Sequence, residues 1–167
     1  LWRWWYNRLA KRHQVGDWTF MNYGFAWPAG ETPPALQPED EADRFCAQLY
    51  HRVVSPGYLS GEEVLEVGAG RGGGAAFVAR YHEPSHLTAL DFSPQAVAFC
   101  QARHRLAPFE FKVGDAEALP FPDASFDAVI NVESSHCYGS VPAFFAEVTR
   151  VLRPGGRREH RHGDVSR

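Results

Sequence analysis

Hydrophobic and polar positions along this chain follow two periods in turn. Short apolar runs at residues 64–67, 86–90, 109–113 and 126–132 have the length and the β-branched and aromatic content of strands. Stretches at helical spacing lie between and around them. One runs from Pro38 to about Val54 with Phe45, Leu49, Tyr50 and Val53 on its apolar side. Pro38 and the acids Glu39, Asp40 and Glu41 suit a first helical turn, and Ser55-Pro56-Gly57 suits a stop. A second runs from Gly72 to about Arg80, and a third starts from the cap Ser93-Pro94 and reaches about Arg103. The last is opened by Ser140 and Pro142, with Val141, Phe144, Phe145, Val148, Val151 and Leu152 apolar. Strands alternating with helices predict an α/β fold, doubly wound around a parallel sheet. In such sheets ligands bind outside the carboxyl ends of the strands.

The first strand delivers Gly68-Ala69-Gly70-Arg71-Gly72-Gly73-Gly74. Glycines there allow a tight turn and let backbone approach a ligand closely. Gly68-x-Gly70-x-x-Gly73 satisfies the dinucleotide fingerprint, and Asp91 stands at about the spacing of a ribose-binding acid. Glu66 separates the two cofactors this loop would serve. A carboxylate at the inner end of a buried strand is costly unless a cation or a hydrogen bond meets it. S-adenosylmethionine carries such a cation in its ammonium group, whereas the diphosphate of NAD would add negative charge. S-adenosylmethionine is favoured, and an NAD-dependent oxidoreductase is the alternative.

Four motifs appear in order: Val64 to Gly74, Leu90-Asp91-Phe92-Ser93-Pro94, Gly114 to Asp127, and Leu152-Arg153-Pro154-Gly155-Gly156. Together they resemble the successive motifs of class I S-adenosylmethionine-dependent methyltransferases. Phe20-Met21-Asn22-Tyr23-Gly24 and the stretch Asn131 to Tyr138 narrow the likeness. They resemble the branch of phthiotriolone/phenolphthiotriolone dimycocerosates methyltransferases and glycopeptidolipid sugar O-methyltransferases. The resemblance implies a Rossmann-like core and methyl transfer to a hydroxyl of a lipid, glycolipid or other small secondary metabolite. It also implies cofactor contacts at Gly68, Ala69 and Gly70 of the loop, at Tyr23 and at Asn131.

Asp91, at the end of the second strand, can accept both ribose hydroxyls of an adenosine, or it can cap the next helix. The family motif assigns Asp115 to the adenine amino group and the Ala116 backbone to a ring nitrogen; an Asx-turn at Asp115 is the structural alternative. Phe92 would pack on adenine or ribose, or belong to the core. His136, just past the fourth strand, is the candidate base for an alcohol or phenol acceptor, against a role in ordering its loop. Glu133 and Tyr138 stand ready to orient either partner. No metal-ligand cluster is evident, so metal-assisted transfer is not expected.

Composition narrows the partners. A net charge of -3 argues against nucleic acid, and three cysteines with no C-x-x-C argue against a disulfide framework, which fits a cytoplasmic setting. No apolar run is long enough to span a membrane. Residues 1–13 carry four basic residues, with Trp2, Trp5, Tyr6 and Leu9 on one helical face. That face either packs on the domain or makes peripheral membrane contact. No obligate protein partner is evident. The expected organisation is an N-terminal helical and aromatic cap over residues 1–60, a cofactor-binding core over 61–156 and a disordered tail over 157–167. That tail contains one aliphatic residue, so the sheet is expected to stop at its fourth strand, as in a C-terminally truncated relative of the family. A non-catalytic remnant is therefore a further alternative.

Overall fold

The computed structural model describes residues 18–54, 59–104 and 109–161. Residues 1–13, and with them the membrane-or-packing question, lie outside the described residues, as does the whole Ser55-Pro56-Gly57 stop. A single parallel sheet runs in the order β3-β2-β1-β4-β5. Its strands are β1 (Glu63–Val67), β2 (His86–Asp91), β3 (Phe109–Val113), β4 (Phe126–Val132) and β5 (Leu152–Arg161). The helices are α1 (Arg44–Val53), α2 (Gly73–Tyr81), α3 (Pro94–Arg103) and α4 (Val141–Val151). The turn entering α1 is a 3-10 helix, Pro38–Asp43, rather than the start of a continuous α-helix.

Period-two alternation on the strands splits the core into two layers. Val64, Ala128 and Ile130 join Tyr50, Phe77 and Val97 of α1 to α3 on one face. Leu65, Val67 and Val129 join Phe144, Val148 and Val151 of α4 on the other. Both faces of β1 and β4 are covered, which is why their sequences read as nearly continuous apolar runs. The caps at Ser93 and Ser140 form as expected: their hydroxyls accept from Ala96 N at 3.3 Å and from Ala143 N at 3.2 Å.

Two expectations are corrected. The sheet has five strands, not four, and the stretch expected to be a disordered tail is a paired edge strand as far as Arg161. β5 pairs with β4 from Phe126↔Leu152 to Val132↔Arg161, with a register shift near its start where Pro154 sits. An edge strand needs a backbone ladder on one side only, so it does not need the aliphatic side chains that a central strand does. Long side chains do the covering instead. The Arg157 guanidinium bonds both Glu62 oxygens at 2.6 Å, and Arg158 lies 6.0 Å from the Phe145 ring. Charged residues on the outermost strand also discourage further pairing.

The approach of α1 to α2 depends on Gly74. A Cβ there would lie 1.8 Å from Cζ of the buried Tyr50. Helix propensity alone favours Gly74→Ala by about 0.5–1 kcal/mol, but overpacking a closed core costs about 1–3 kcal/mol. Tyr50 is held from both sides, so the clash dominates. Gly74→Ala is expected to lower the thermal midpoint by several degrees in a calorimetric melt.

Candidate functional site

A cavity of about 390 Å³ opens at the carboxyl ends of β1, β2 and β4, where the strand order reverses. The glycine loop forms its floor. Gly68, Gly70 and Gly72 all have positive φ, and a Cβ on Gly68 would lie 2.4 Å from Ser134 Oγ. Five of the loop's amides are already engaged. Gly68 N and Ala69 N donate to Leu90 O, Gly72 N to Ala69 O, Gly73 N to Thr19 O and Gly70 N to the Asp91 carboxylate. Those five bonds brace the loop as a shelf under the cavity.

Carboxylates supply the acidic groups of a largely apolar wall. Asp91, Asp115, Glu117 and Glu133 line the cavity, and no lysine or arginine does among the described residues. Asp91 is buried and, with Ser93 capping α3, braces the turn before that helix while keeping its place on the wall. Its oxygens accept from Gly70 N at 2.8 Å and Ser93 N at 2.9 Å. A carboxylate offers about four lone-pair directions, so acceptor capacity remains. Burial pushes its pKa up, against the two backbone bonds. Asp115 likewise forms the Asx-turn, accepting from Glu117 N at 2.9 Å, while lining the cavity beside Ala116 and Phe92. Both acids make structural hydrogen bonds and line the cavity.

His136 lies in the short 3-10 helix Ser135–Cys137, exposed and on the cavity lining. Tyr23 also reaches the lining and is 91% exposed. Its strap is pinned at several points. Arg71 Nε donates to Trp18 O at 2.7 Å, Asn22 Nδ2 to Cys46 O at 3.3 Å and Phe25 N to Phe45 O at 2.8 Å. Tyr23 N donates to Glu133 Oε2 at 2.8 Å. Glu133 adopts a φ of 50°, a left-handed conformation uncommon outside glycine and characteristic of functional segments.

Glu66 and Asn131 stand behind the lining rather than in it. Asn131 is buried on the α4 side of β4, and its Nδ2 lies 2.9 Å from Val67 O, 2.7 Å from Ser134 Oγ and 2.8 Å from Tyr138 OH. It fastens the end of β1 to the loop after β4. Glu66 points to the opposite face, where Tyr50 OH donates to its Oε1 at 2.6 Å and Oε2 has no hydrogen-bond partner. Tyr50 itself lines the cavity. Helical spacing had placed Tyr50 only on a scaffold helix. The signal that would have exposed it is Glu66, whose need for a partner was met in the sequence by a ligand alone.

A family model described as a methyltransferase domain matches residues 65–158. The chain belongs to this methyltransferase family. A probable phthiotriol/phenolphthiotriol dimycocerosates methyltransferase of Mycobacterium ulcerans (strain Agy99) is 46% identical over 159 residues, covering 93% of this chain and 60% of that protein. A fatty-acid O-methyltransferase of Mycolicibacterium smegmatis (strain ATCC 700084 / mc(2)155) is 46% identical over 154 residues, covering 90% and 55%. The chain thus spans less than two-thirds of these relatives. The crystal structure of the cyclase SpnF superposes with a TM-score of 0.71 at 24% identity over 92% of this chain and 56% of that one, a likeness of fold alone.

The cofactor of this methyltransferase is S-adenosylmethionine, and the residues present fit it. A wall of carboxylates suits a ligand carrying sulfonium and ammonium charges, and behind that wall Glu66 keeps one oxygen without a partner. Gly68, Ala69, Gly70, Asp91, Phe92, Asp115 and Ala116 are the residues in position to hold it.

Burial pushes the pKa of Glu66 from 4.5 to about 7, against the Tyr50 hydrogen bond and reinforced by Asp91. Between those values the folded methyltransferase holds more protons than the unfolded chain, so this contribution is full below about 4.5 and is lost as pH rises through 7. His82 works in the opposite sense. Burial and His51 lower its pKa from 6.5 to about 4, so its contribution is present above 6.5 and is lost as pH falls. Denaturant titrations of the wild type and Glu66→Gln separate the two. The variant's relative stability is expected to rise from pH 4.5 to 8 by roughly 2–3 kcal/mol. A pH-independent difference would contradict the assignment.

Proposed function

We propose that this chain forms the cofactor half of an O-methyltransferase that methylates a hydroxyl of a lipid-like acceptor. The observation that carries the reading is a cavity lined by four carboxylates and, among the described residues, by no lysine or arginine, over a loop in which five amides are engaged. Two like charges about 6 Å apart repel by about 3 kcal/mol at an effective dielectric of about 20. A dinucleotide diphosphate would meet several such terms over a loop in which five amides already donate within the chain, whereas a cationic donor gains from each.

Bound there, S-adenosylmethionine supplies a methyl group already activated on a sulfonium, which leaves the protein alignment at roughly 3 Å and removal of the acceptor's proton. His136 is proposed to take that proton, because imidazole suits such a transfer near neutral pH and His136 lies on the cavity lining. Tyr23 and Met21 line the same cavity and are 91% and 44% exposed, an apolar rim suited to an acyl chain. The relatives named above act, by name, on dimycocerosates and on a fatty acid.

Calorimetric titration of the purified chain is expected to show micromolar binding of S-adenosylhomocysteine and none of NAD. Binding of NAD alone, or of neither by a folded and soluble chain, overturns the reading. With a long-chain hydroxylated acceptor, His136→Ala is expected to lower kcat by roughly 10²-fold or more while S-adenosylhomocysteine affinity stays unchanged. Undiminished turnover would remove His136 from the mechanism.

A further inference from the structure

Glu66 is 1% exposed on the helix-covered side of β1, outside the cavity lining, with Oε2 lacking a partner. One side chain stands between it and the cavity. Tyr50 lines the cavity and directs its phenolic hydrogen at Glu66 Oε1 over 2.6 Å. That arrangement has its own space, since a Cβ on Gly74 would lie 2.2 Å from the Tyr50 hydroxyl oxygen. With its hydrogen given to Glu66, the phenolic oxygen has only lone pairs to present to a ligand, which suits a cation or a donor.

We propose that Tyr50 and Glu66 form a proton-linked dyad behind the glycine loop, through which binding of a cationic cofactor releases one proton from Glu66 to solvent. The inference rests on the S-adenosylmethionine reading above. Before binding, a buried carboxyl with one oxygen unpartnered favours its neutral form. A cationic group of the ligand drawn to the cavity side of Tyr50 places positive charge close to Glu66 and strengthens the phenol as its donor. Glu66 then loses its proton to water, and the carboxylate remains opposite the bound cation, so charge and atoms balance.

The surrounding groups bear on this in a consistent direction. Asp91 at the end of β2 adds negative charge and keeps Glu66 protonated, and Cys100 of α3 senses both acids. From the far side Glu133 and Cys46 act on Tyr50, again as acids. Arg71 is the cation in this neighbourhood, acting on Cys100, and its guanidinium carbon sits 3.9 Å from the Phe99 ring while Nε donates to Trp18 O. The positive charge that tips the dyad therefore comes with the ligand.

The test is calorimetric titration with S-adenosylhomocysteine and with S-adenosylmethionine near pH 7, in buffers of different ionisation enthalpy. The slope of heat against ionisation enthalpy counts protons. Wild type is expected to release a substantial fraction of one proton per ligand, more for the doubly cationic S-adenosylmethionine, and to bind up to about 10-fold tighter per pH unit gained below the Glu66 midpoint. Glu66→Gln is expected to release none and to show a flat pH profile. Tyr50→Phe removes the hydrogen bond that favours the carboxylate. It is expected to bind more weakly and to shift the pH dependence to higher pH. Binding without linked proton release by wild type, or with equal release by Glu66→Gln, overturns this proposal alone. Absence of binding by wild type overturns the cofactor reading with it. A Tyr50→Phe protein that behaves as wild type removes the tyrosine from the dyad, and if Glu66→Gln fails to fold, Tyr50→Phe and the wild-type buffer series decide.

Discussion

Placing a carboxylate on the helix-covered face of β1 determines much of what surrounds it. Glu66 must have a hydrogen-bond partner because an unmet buried carboxyl costs several kcal/mol, and the partner is Tyr50 from α1. For the phenol to reach β1, α1 has to cross α2 where α2 has no side chain, and Gly74 supplies that gap. Phe20 closes the same corner from the strap, its ring 6.0 Å from that of Tyr50 in an edge-on contact. The glycine run thus serves packing in its last member and turn geometry at Gly68, Gly70 and Gly72. A single acid on one strand links the N-terminal strap, two helices and the floor of the cavity.

A second constraint operates at the switch point, where the ends of β1, β2 and β4 have to be held in register without a ligand's help. Asp91 ties the loop after β1 to the turn after β2, and Asn131 ties Val67 O to the segment after β4. Tyr138 and Ser134 complete that second clamp at 2.9 Å from one another, and burial pushes the Tyr138 phenol well above its ordinary pKa, so it stays neutral. Both clamps use polar side chains whose partners are mostly backbone groups that would otherwise be left unmet. The cavity is consequently preorganised, and ligand binding need not order its floor.

The legible parts of this fold are those where burial on two sides forces a pattern. β3 and β4 occupy the segments that the apolar runs predict, and the capped helices begin at their serines, because core burial and capping are local demands. β5 was not legible, since one paired edge is satisfied by backbone and arginine stems can cover what aliphatics would. At the site, the loop, Asp91, Asp115 and His136 reach the cavity lining. Asn131 and Val132 show where reading stops. Neighbours on a strand point to opposite faces, and here Val132 reaches the cavity lining while Asn131 turns to the α4 face. The direction of a phenol was equally out of reach, because helical spacing tells that Tyr50 is buried and not what it touches.

Charge distribution completes the argument from fold to chemistry. The chain carries a net charge of only -3, yet four carboxylates converge on one cavity that, among the described residues, has no arginine or lysine on its lining. Elsewhere arginines are paired with acids away from this cavity: Arg150 with Glu147 and Asp123, Arg153 with Asp127, Arg157 with Glu62. Those exposed or half-exposed pairs contribute little stability individually. Their collective effect is to leave the cavity as a concentrated region of negative potential, where low-dielectric walls strengthen the field. Such a field discriminates by ligand charge before any specific hydrogen bond forms. On the function proposed above, it would favour a sulfonium donor over its less cationic product, which would give the same wall a part in releasing S-adenosylhomocysteine once the methyl group has left.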